Sequence, residues 1–230
     1  MPVAIVTGAS KGFGRELALD LARDGWALVI DARGERALDD VARELSASEV
    51  SVRAVAGDVT DPSHRAELVA AAEELGSLEL LVNNASTLGP SPLLRLELYP
   101  LNELRRVLEV NVVAPLALIQ LSLPLLRHSR GVVVSVSSDA AVEAYDGWGG
   151  YGSAKAALDQ SHRVWAVEEP GIRFYVFDPG DMRTDMHQAA FPGEDISDRP
   201  EPSEVVPSLR RLLASDPASG RYRSADWTAQ

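Results

Sequence analysis

The chain contains no cysteine, so a disulfide framework and a thiolate metal site are both excluded. Its four histidines, His64, His128, His162 and His187, lack the spacing of metal ligands, and metal dependence is not expected. No run of basic residues occurs and the net charge is −12, which makes nucleic acid and anionic membrane surfaces poor partners. No N-terminal stretch reads as a signal peptide, because the apolar run Val3–Val6 is short and ends at Thr7-Gly8. The longest apolar stretch, 110 to 126, is broken by Asn111, Pro115, Gln120, Ser122 and Pro124, so it does not read as a membrane span. Internal repeats and low-complexity linkers are absent too. The expectation is a soluble cytoplasmic protein whose 230 residues form one domain, 1–230, with a sizeable core.

What is present is a regular alternation. Short β-branched runs stand at Val3–Val6, Ala27–Ile30, Val50–Arg53, Leu78–Val82, Gly131–Ser135 and Ile172–Phe177, with a last short one at Arg221–Ser224. Several are apolar throughout, as parallel strands covered on both faces must be. Helical patterns fit between them at Gly12–Asp24, Arg33–Ser46, Pro62–Leu75, Leu101–Arg127, Tyr151–Glu168 and Ser203–Ala214, with Asp61-Pro62 a good cap and first-turn pair. This predicts an α/β, doubly wound parallel sheet of the Rossmann type, about seven strands with helices on both faces. A proline- and acid-rich stretch within 184–203 lacks periodicity and reads as an excursion near the substrate, ordered or lid-like.

Two groups of residues carry chemistry. The first strand feeds Thr7-Gly8-Ala9-Ser10-Lys11-Gly12-Phe13-Gly14, a glycine-rich turn opening a helix, where free N–H groups and the helix's positive end suit a pyrophosphate. The second group is Tyr151 and Lys155, four apart, with Ser138 thirteen positions upstream. On a helix that spacing stacks phenol and ammonium on one face, and a nearby cation favours a phenolate. The same spacing also occurs on ordinary helix surfaces.

Together these motifs resemble the short-chain dehydrogenase/reductase family, over nearly the whole chain. Thr7-Gly8-x-x-x-Gly12-x-Gly14 resembles its cofactor turn, Asp58-Val59 its adenine contact, Asn83-Asn84-Ala85 the motif after its fourth strand, and Pro179-Gly180 with Thr184 the segment after its sixth. Asn111, Ser138, Tyr151 and Lys155 match its catalytic tetrad in order and spacing. The resemblance implies that Tyr151 exchanges a proton with the substrate oxygen, its pKa lowered by Lys155 and the oxidised nicotinamide. It implies further that Lys155 bonds the nicotinamide ribose, Ser138 holds the substrate oxygen, and Asn111 positions a relay water. Read alone, Ser138 is equally a strand-end turn residue and Asn111 a helix-kink hydrogen bond beside Pro115.

The resemblance also bears on the cofactor. The position where NAD users carry an acid falls on Ala32, so a 2′-phosphate is not repelled there, while Arg33 and Lys11 could hold one. NADP(H) is therefore expected over NAD(H). A shift of one residue would bring Asp31 to the ribose and reverse this, and both cations could instead be ordinary solvated side chains.

Ser86 stands where the family has glycine, and the last strand is abbreviated. Substrate-pocket candidates are Thr87, Leu88, Asp139, Val142, Tyr145, Trp148, Asp181, Met182, Met186 and Phe191, which specify no substrate class. The expected function is carbonyl–alcohol interconversion by a homodimer or homotetramer. The alternatives are an NAD-dependent alcohol dehydrogenase and a dinucleotide sensor without chemistry; a nucleotide-sugar epimerase or dehydratase would need a longer substrate domain.

Overall fold

The computed structural model describes residues 1–228, so the last two positions of the expected 1–230 domain lie outside the described residues. Seven strands form one sheet: β1 (Pro2–Val6), β2 (Ala27–Ala32), β3 (Val52–Ala56), β4 (Ser77–Asn83), β5 (Val132–Val136), β6 (Arg173–Asp178) and β7 (Gly220–Arg223). All pair in parallel in the order β3-β2-β1-β4-β5-β6-β7. The order reverses between β1 and β4, and the crevice beyond the carboxyl ends of the strands at such a reversal is where doubly wound sheets hold ligands.

The central strands form because their residues bury on both faces. Every residue of β2 is buried, including Asp31, and β1 is buried from Val3 onward. One face packs against α1 (Gly12–Arg23), α2 (Glu35–Ser46) and α8 (Pro202–Ser215) through Leu17, Leu21, Leu38, Leu209 and Leu212. The other packs against α3 (Pro62–Leu75), α5 (Ala114–Ser129) and α6 (Gly149–Glu168) through Leu68, Leu118, Ile119, Leu126 and Trp165. Each fully buried leucine contributes about 1.5–3 kcal/mol relative to leaving it exposed. Asp61 caps α3 by accepting from the Ser63 N–H at 2.8 Å, with Pro62 in the first turn, as the dipeptide predicts.

Several segments differ from the sequence expectation. The single helix expected at Leu101–Arg127 is interrupted: α4 (Leu101–Leu108) passes through a π-helical turn, Glu109–Val113, before α5 begins. The Ala114 N–H reaches back five residues to the Glu109 carbonyl, and Pro115 has no N–H to close onto the Asn111 carbonyl in α register. This continuous helical run, Leu101–Ser129, is long and apolar enough to cross a membrane by composition, yet α5 packs Leu118, Ile119 and Leu126 into the core beneath the sheet.

Within the excursion, Asp185–Ala190 is a short helix, α7, capped by Thr184, whose hydroxyl accepts from the His187 N–H at 3.2 Å. Its periodicity is too brief to read from sequence. The base of the excursion is closed by the Arg183 N–H on the Pro200 carbonyl at 2.9 Å. Arg33 precedes α2 in a turn instead of opening it, and β3 begins two residues later than expected.

Candidate active site

The turn after β1 is tied to the end of β4. The Thr7 hydroxyl accepts from the N–H groups of Asn84 and Ala85, each at 3.0 Å, and donates to the Val82 carbonyl. The Asn84 side-chain amide donates to the carbonyls of Thr7 and Gly8 at 2.9 and 3.1 Å. Glycine is required at two positions by this close approach: a Cβ on Gly8, whose φ is +66°, would lie 2.8 Å from the Ala85 Cα, and one on Gly14 would lie 2.4 Å from the Asn84 amide nitrogen. Gly14 therefore sits beneath the cleft, while Gly8, Ser10, Lys11, Gly12 and Phe13 line it.

No side chain caps the amino end of α1, and its first turn holds no acid. The opening N–H groups thus point without a side-chain partner toward the cleft, a donor set that fits a pyrophosphate.

Asp31, next to last in β2, lies between the glycine turn and α3. It is 1% exposed, accepts from the Gly8 N–H at 2.7 Å through one oxygen, and meets His64 Nε2 at 3.0 Å through the other. Each oxygen thus has a partner within the protein, and Asp31 lines the cleft together with Ala32 and the exposed Arg33. Asp58 and Val59 line the cleft beside them. The Thr60 backbone N–H, with its hydroxyl, holds the Asp58 carboxyl below the usual range, and Arg33 and Arg106 add to the effect. Arg106, on α4, is a second cation at this end that the sequence reading missed; only the crossing of α4 over the cleft brings it there. Lys11 pairs with Asp185 of α7 at 2.7 Å, both side chains exposed, so its charge is shared with the excursion.

At the other end Ser138, Tyr151 and Lys155 converge on the cleft. Tyr151 and Lys155 are 8% and 3% exposed and lie one turn apart on α6, with the ammonium 5.5 Å from the ring centroid. Lys155 Nζ donates to the Val136 carbonyl at 2.7 Å. The Ser138 hydroxyl donates to Asp139 at 2.9 Å and caps a short 3₁₀ turn, so this residue, two past the end of β5, both opens a turn and faces the cleft.

Burial pushes the pKa of the Tyr151 phenol up, aided by Asp178, Asp139 and Asp159, while a hydrogen bond with Ser86 opposes it. The phenol is held as a proton donor at neutral pH. Burial likewise brings Lys155 down to about 8, against the attraction of Asp159.

Asn111 does not line the cleft. Its amide clamps the segment after β4, accepting from the Thr87 N–H at 2.9 Å and the Ser86 hydroxyl at 3.2 Å, and donating to the Thr87 carbonyl at 2.9 Å. It lies on the π turn, whose widened register presents the side chain to this loop. Ser86 thus replaces glycine with a hydroxyl that links the Asn111 clamp to Tyr151.

The whole cleft encloses about 960 Å³. Asn84, Ala85, Pro179, Gly180 and Thr184 line it, as do Thr87, Leu88, Asp139, Trp148, Asp181, Met182 and Met186. Val142, Tyr145 and Phe191 do not. Val142 is exposed, the Tyr145 hydroxyl is spent on Asp139 and Glu143 at 2.9 and 2.8 Å, and Phe191 packs behind Trp148. Trp148 in turn meets Tyr151 edge-on at 5.7 Å between centroids, and Met186 and Ala190 of α7 join them in a small apolar cluster. The excursion is therefore one wall of the site. Among the described residues no group of acids and histidines is arranged to hold a metal ion.

The sequence profile described as short chain dehydrogenase matches residues 2–195. The chain is 36% identical to the sepiapterin reductase of Mus musculus over 201 residues, covering 82% of this chain and 77% of that enzyme. It is also 36% identical to the sepiapterin reductase of Meriones unguiculatus, over 99% of this chain and 88% of the other. Among solved structures it resembles the alcohol dehydrogenase of the archaeon Thermococcus sibiricus complexed with 5-hydroxy-NADP. The TM-score is 0.88 at 30% identity, over 100% of this chain and 99% of that one.

Proposed function

The chain belongs to the short-chain dehydrogenase/reductase family of oxidoreductases, and from that premise we propose that it is an NADPH-dependent carbonyl reductase with Tyr151 as its proton donor. The observation that carries the reading is the convergence of Tyr151, Lys155 and Ser138 on the cleft, with the phenol buried beside the ammonium. When bound, NADPH supplies the hydride. Tyr151 delivers its proton to the carbonyl oxygen as negative charge develops there. The Ser138 hydroxyl donates a second hydrogen bond to the same oxygen, which requires it to leave Asp139. Lys155, an ammonium below about pH 8, bonds the ribose and lies close enough to stabilise the phenolate left behind. Asn111 acts at one remove by fixing the Ser86-Thr87 wall.

NADPH is preferred because Asp31 is consumed by Gly8 and His64, leaving Arg33, with Arg106 nearby, to meet a 2′-phosphate. Gly8, Ser10, Gly12 and Phe13 hold the pyrophosphate, with Gly14 shaping the turn; Asp58 and Val59 take the adenine; Asn84, Ala85, Pro179, Gly180 and Thr184 surround the nicotinamide end. The relatives named for sepiapterin reduction make sepiapterin the first substrate to offer. The protein works in the cytoplasm as a homodimer or homotetramer.

The test is a fluorescence titration with NADPH and NADH, followed by turnover of sepiapterin, an aromatic ketone and a small aldehyde. Tighter NADPH binding with Tyr151-dependent reduction of at least one carbonyl is expected. Tighter NADH binding would overturn the cofactor assignment, and binding without turnover would point to a sensor.

A further inference from the structure

The abbreviated last strand places an arginine under the active site. Arg221, on β7, is largely buried and donates to three acceptors: Asp159 at 3.1 Å, Asp178 at 2.8 Å and the Ser138 carbonyl at 2.9 Å. Asp159 lies on α6 four residues beyond Lys155, and its other oxygen accepts from the Ser137 hydroxyl at 2.6 Å. Asp178 ends β6 and accepts from the Gly180 N–H at 3.1 Å. Three consecutive residues at the end of β5 are thus each gripped from below. Val136 is held by Lys155, Ser137 by Asp159 and Ser138 by Arg221.

Lysine and aspartate four apart on one helix are placed to pair. Here they do not: Lys155 donates to the Val136 carbonyl, and Asp159 is taken by Ser137 and Arg221. The charged and titratable groups around Lys155 are Tyr151 and Asp159 on its own helix, Asp139 after β5, Asp178 at the end of β6 and Arg221 on β7. Arg221 bonds two of these carboxylates directly, Asp159 and Asp178. We propose that Arg221 is a positioning residue, whose hold on Asp159 prevents that carboxylate from drawing Lys155 away from the cleft. Its second and third bonds keep the Ser138 backbone and the Asp178-Pro179-Gly180 turn in register with Lys155. The consequence for NADPH rests on the proposed contact between Lys155 and the cofactor ribose; the effect on Lys155 itself does not.

The chain has only two lysines, Lys11 and Lys155, so the Lys155 side chain can be followed by NMR in protein labelled with ¹³C at lysine Cε, with Lys155→Met for assignment. In Arg221→Met the Lys155 titration midpoint should rise by about one pH unit or more, as the freed Asp159 carboxylate pairs with it. NADPH should bind about tenfold more weakly. Adding Asp159→Asn should return the midpoint to the wild-type value or below and restore most of the affinity. Arg221→Gln, which keeps a donor but not the charge, should shift the midpoint in the same direction and serves if Arg221→Met does not fold. An unchanged or lowered midpoint in the arginine variants overturns the proposal. So does an Asp159→Asn that restores the melting temperature without restoring the midpoint. If Lys155→Met leaves NADPH affinity unaltered, the cofactor role of Lys155 fails, and the NMR midpoint still decides the role of Arg221.

Discussion

Burial of Lys155 has a consequence for stability that is independent of any substrate. Its pKa falls from 10.5 to about 8 in the folded protein, chiefly through desolvation. Between those values the unfolded chain binds more protons than the native one, so stability must rise with pH across that window. The full shift corresponds to about 3 kcal/mol, of which about 2 kcal/mol should be gained between pH 7.5 and 10. Other titrating groups contribute as well, but most of them cancel in a comparison with Lys155→Met. Urea unfolding of both proteins at pH 7.5, 8.5 and 10 should show the wild type gaining on the variant by about that amount. A difference that stays constant with pH, or that moves the other way, would refute the claim that the ammonium is desolvated in the native state.

Other outcomes follow from the same geometry. Arg33→Ala should weaken NADPH binding by about five- to tenfold, a loss of roughly 1–1.5 kcal/mol, and leave NADH binding unchanged; parallel fluorescence titrations check this. Asp31→Ala strands the Gly8 N–H and His64 in a buried site and should cost about 2–4 kcal/mol, read by chemical denaturation; a cost under 0.5 kcal/mol would contradict the hydrogen bonds described. Leu209→Ala, at the seam between α8 and the sheet, should cost about 2–5 kcal/mol by the same assay without altering the ratio of NADPH to NADH affinity.

Much of this architecture is legible in the chain because its signals are local. Apolar runs such as Ala27–Ile30 have few uses other than a strand covered on both faces, and Gly8 and Gly14 mark a backbone approach that any Cβ would block. Tyr151 and Lys155 are readable for the same reason, since one turn of helix fixes their relation. The remainder depends on contacts distant in sequence. That Asp31 meets Gly8 and His64 is decided by the packing of α3 against β2. The commitment of Asn111 to Thr87 follows from the π turn, for which Pro115 is the only local hint. Arg106 and Arg221 carry no local signal, and it is the crossing of α4 and the pairing of β7 with β6 that bring them beside or under the cleft. The burial that acts on Tyr151 is not legible either, because spacing reveals a neighbouring charge but not how dry the site is.

The central claim is that Tyr151 gives its proton to a carbonyl. Its most direct test is the single-turnover rate of NADPH oxidation by Tyr151→Phe with the best carbonyl found for the wild type, alongside the NADPH dissociation constant. The rate should fall by about 10²–10⁴-fold while the dissociation constant changes by no more than about threefold. A rate within about twofold of wild type, with binding intact, would contradict the claim.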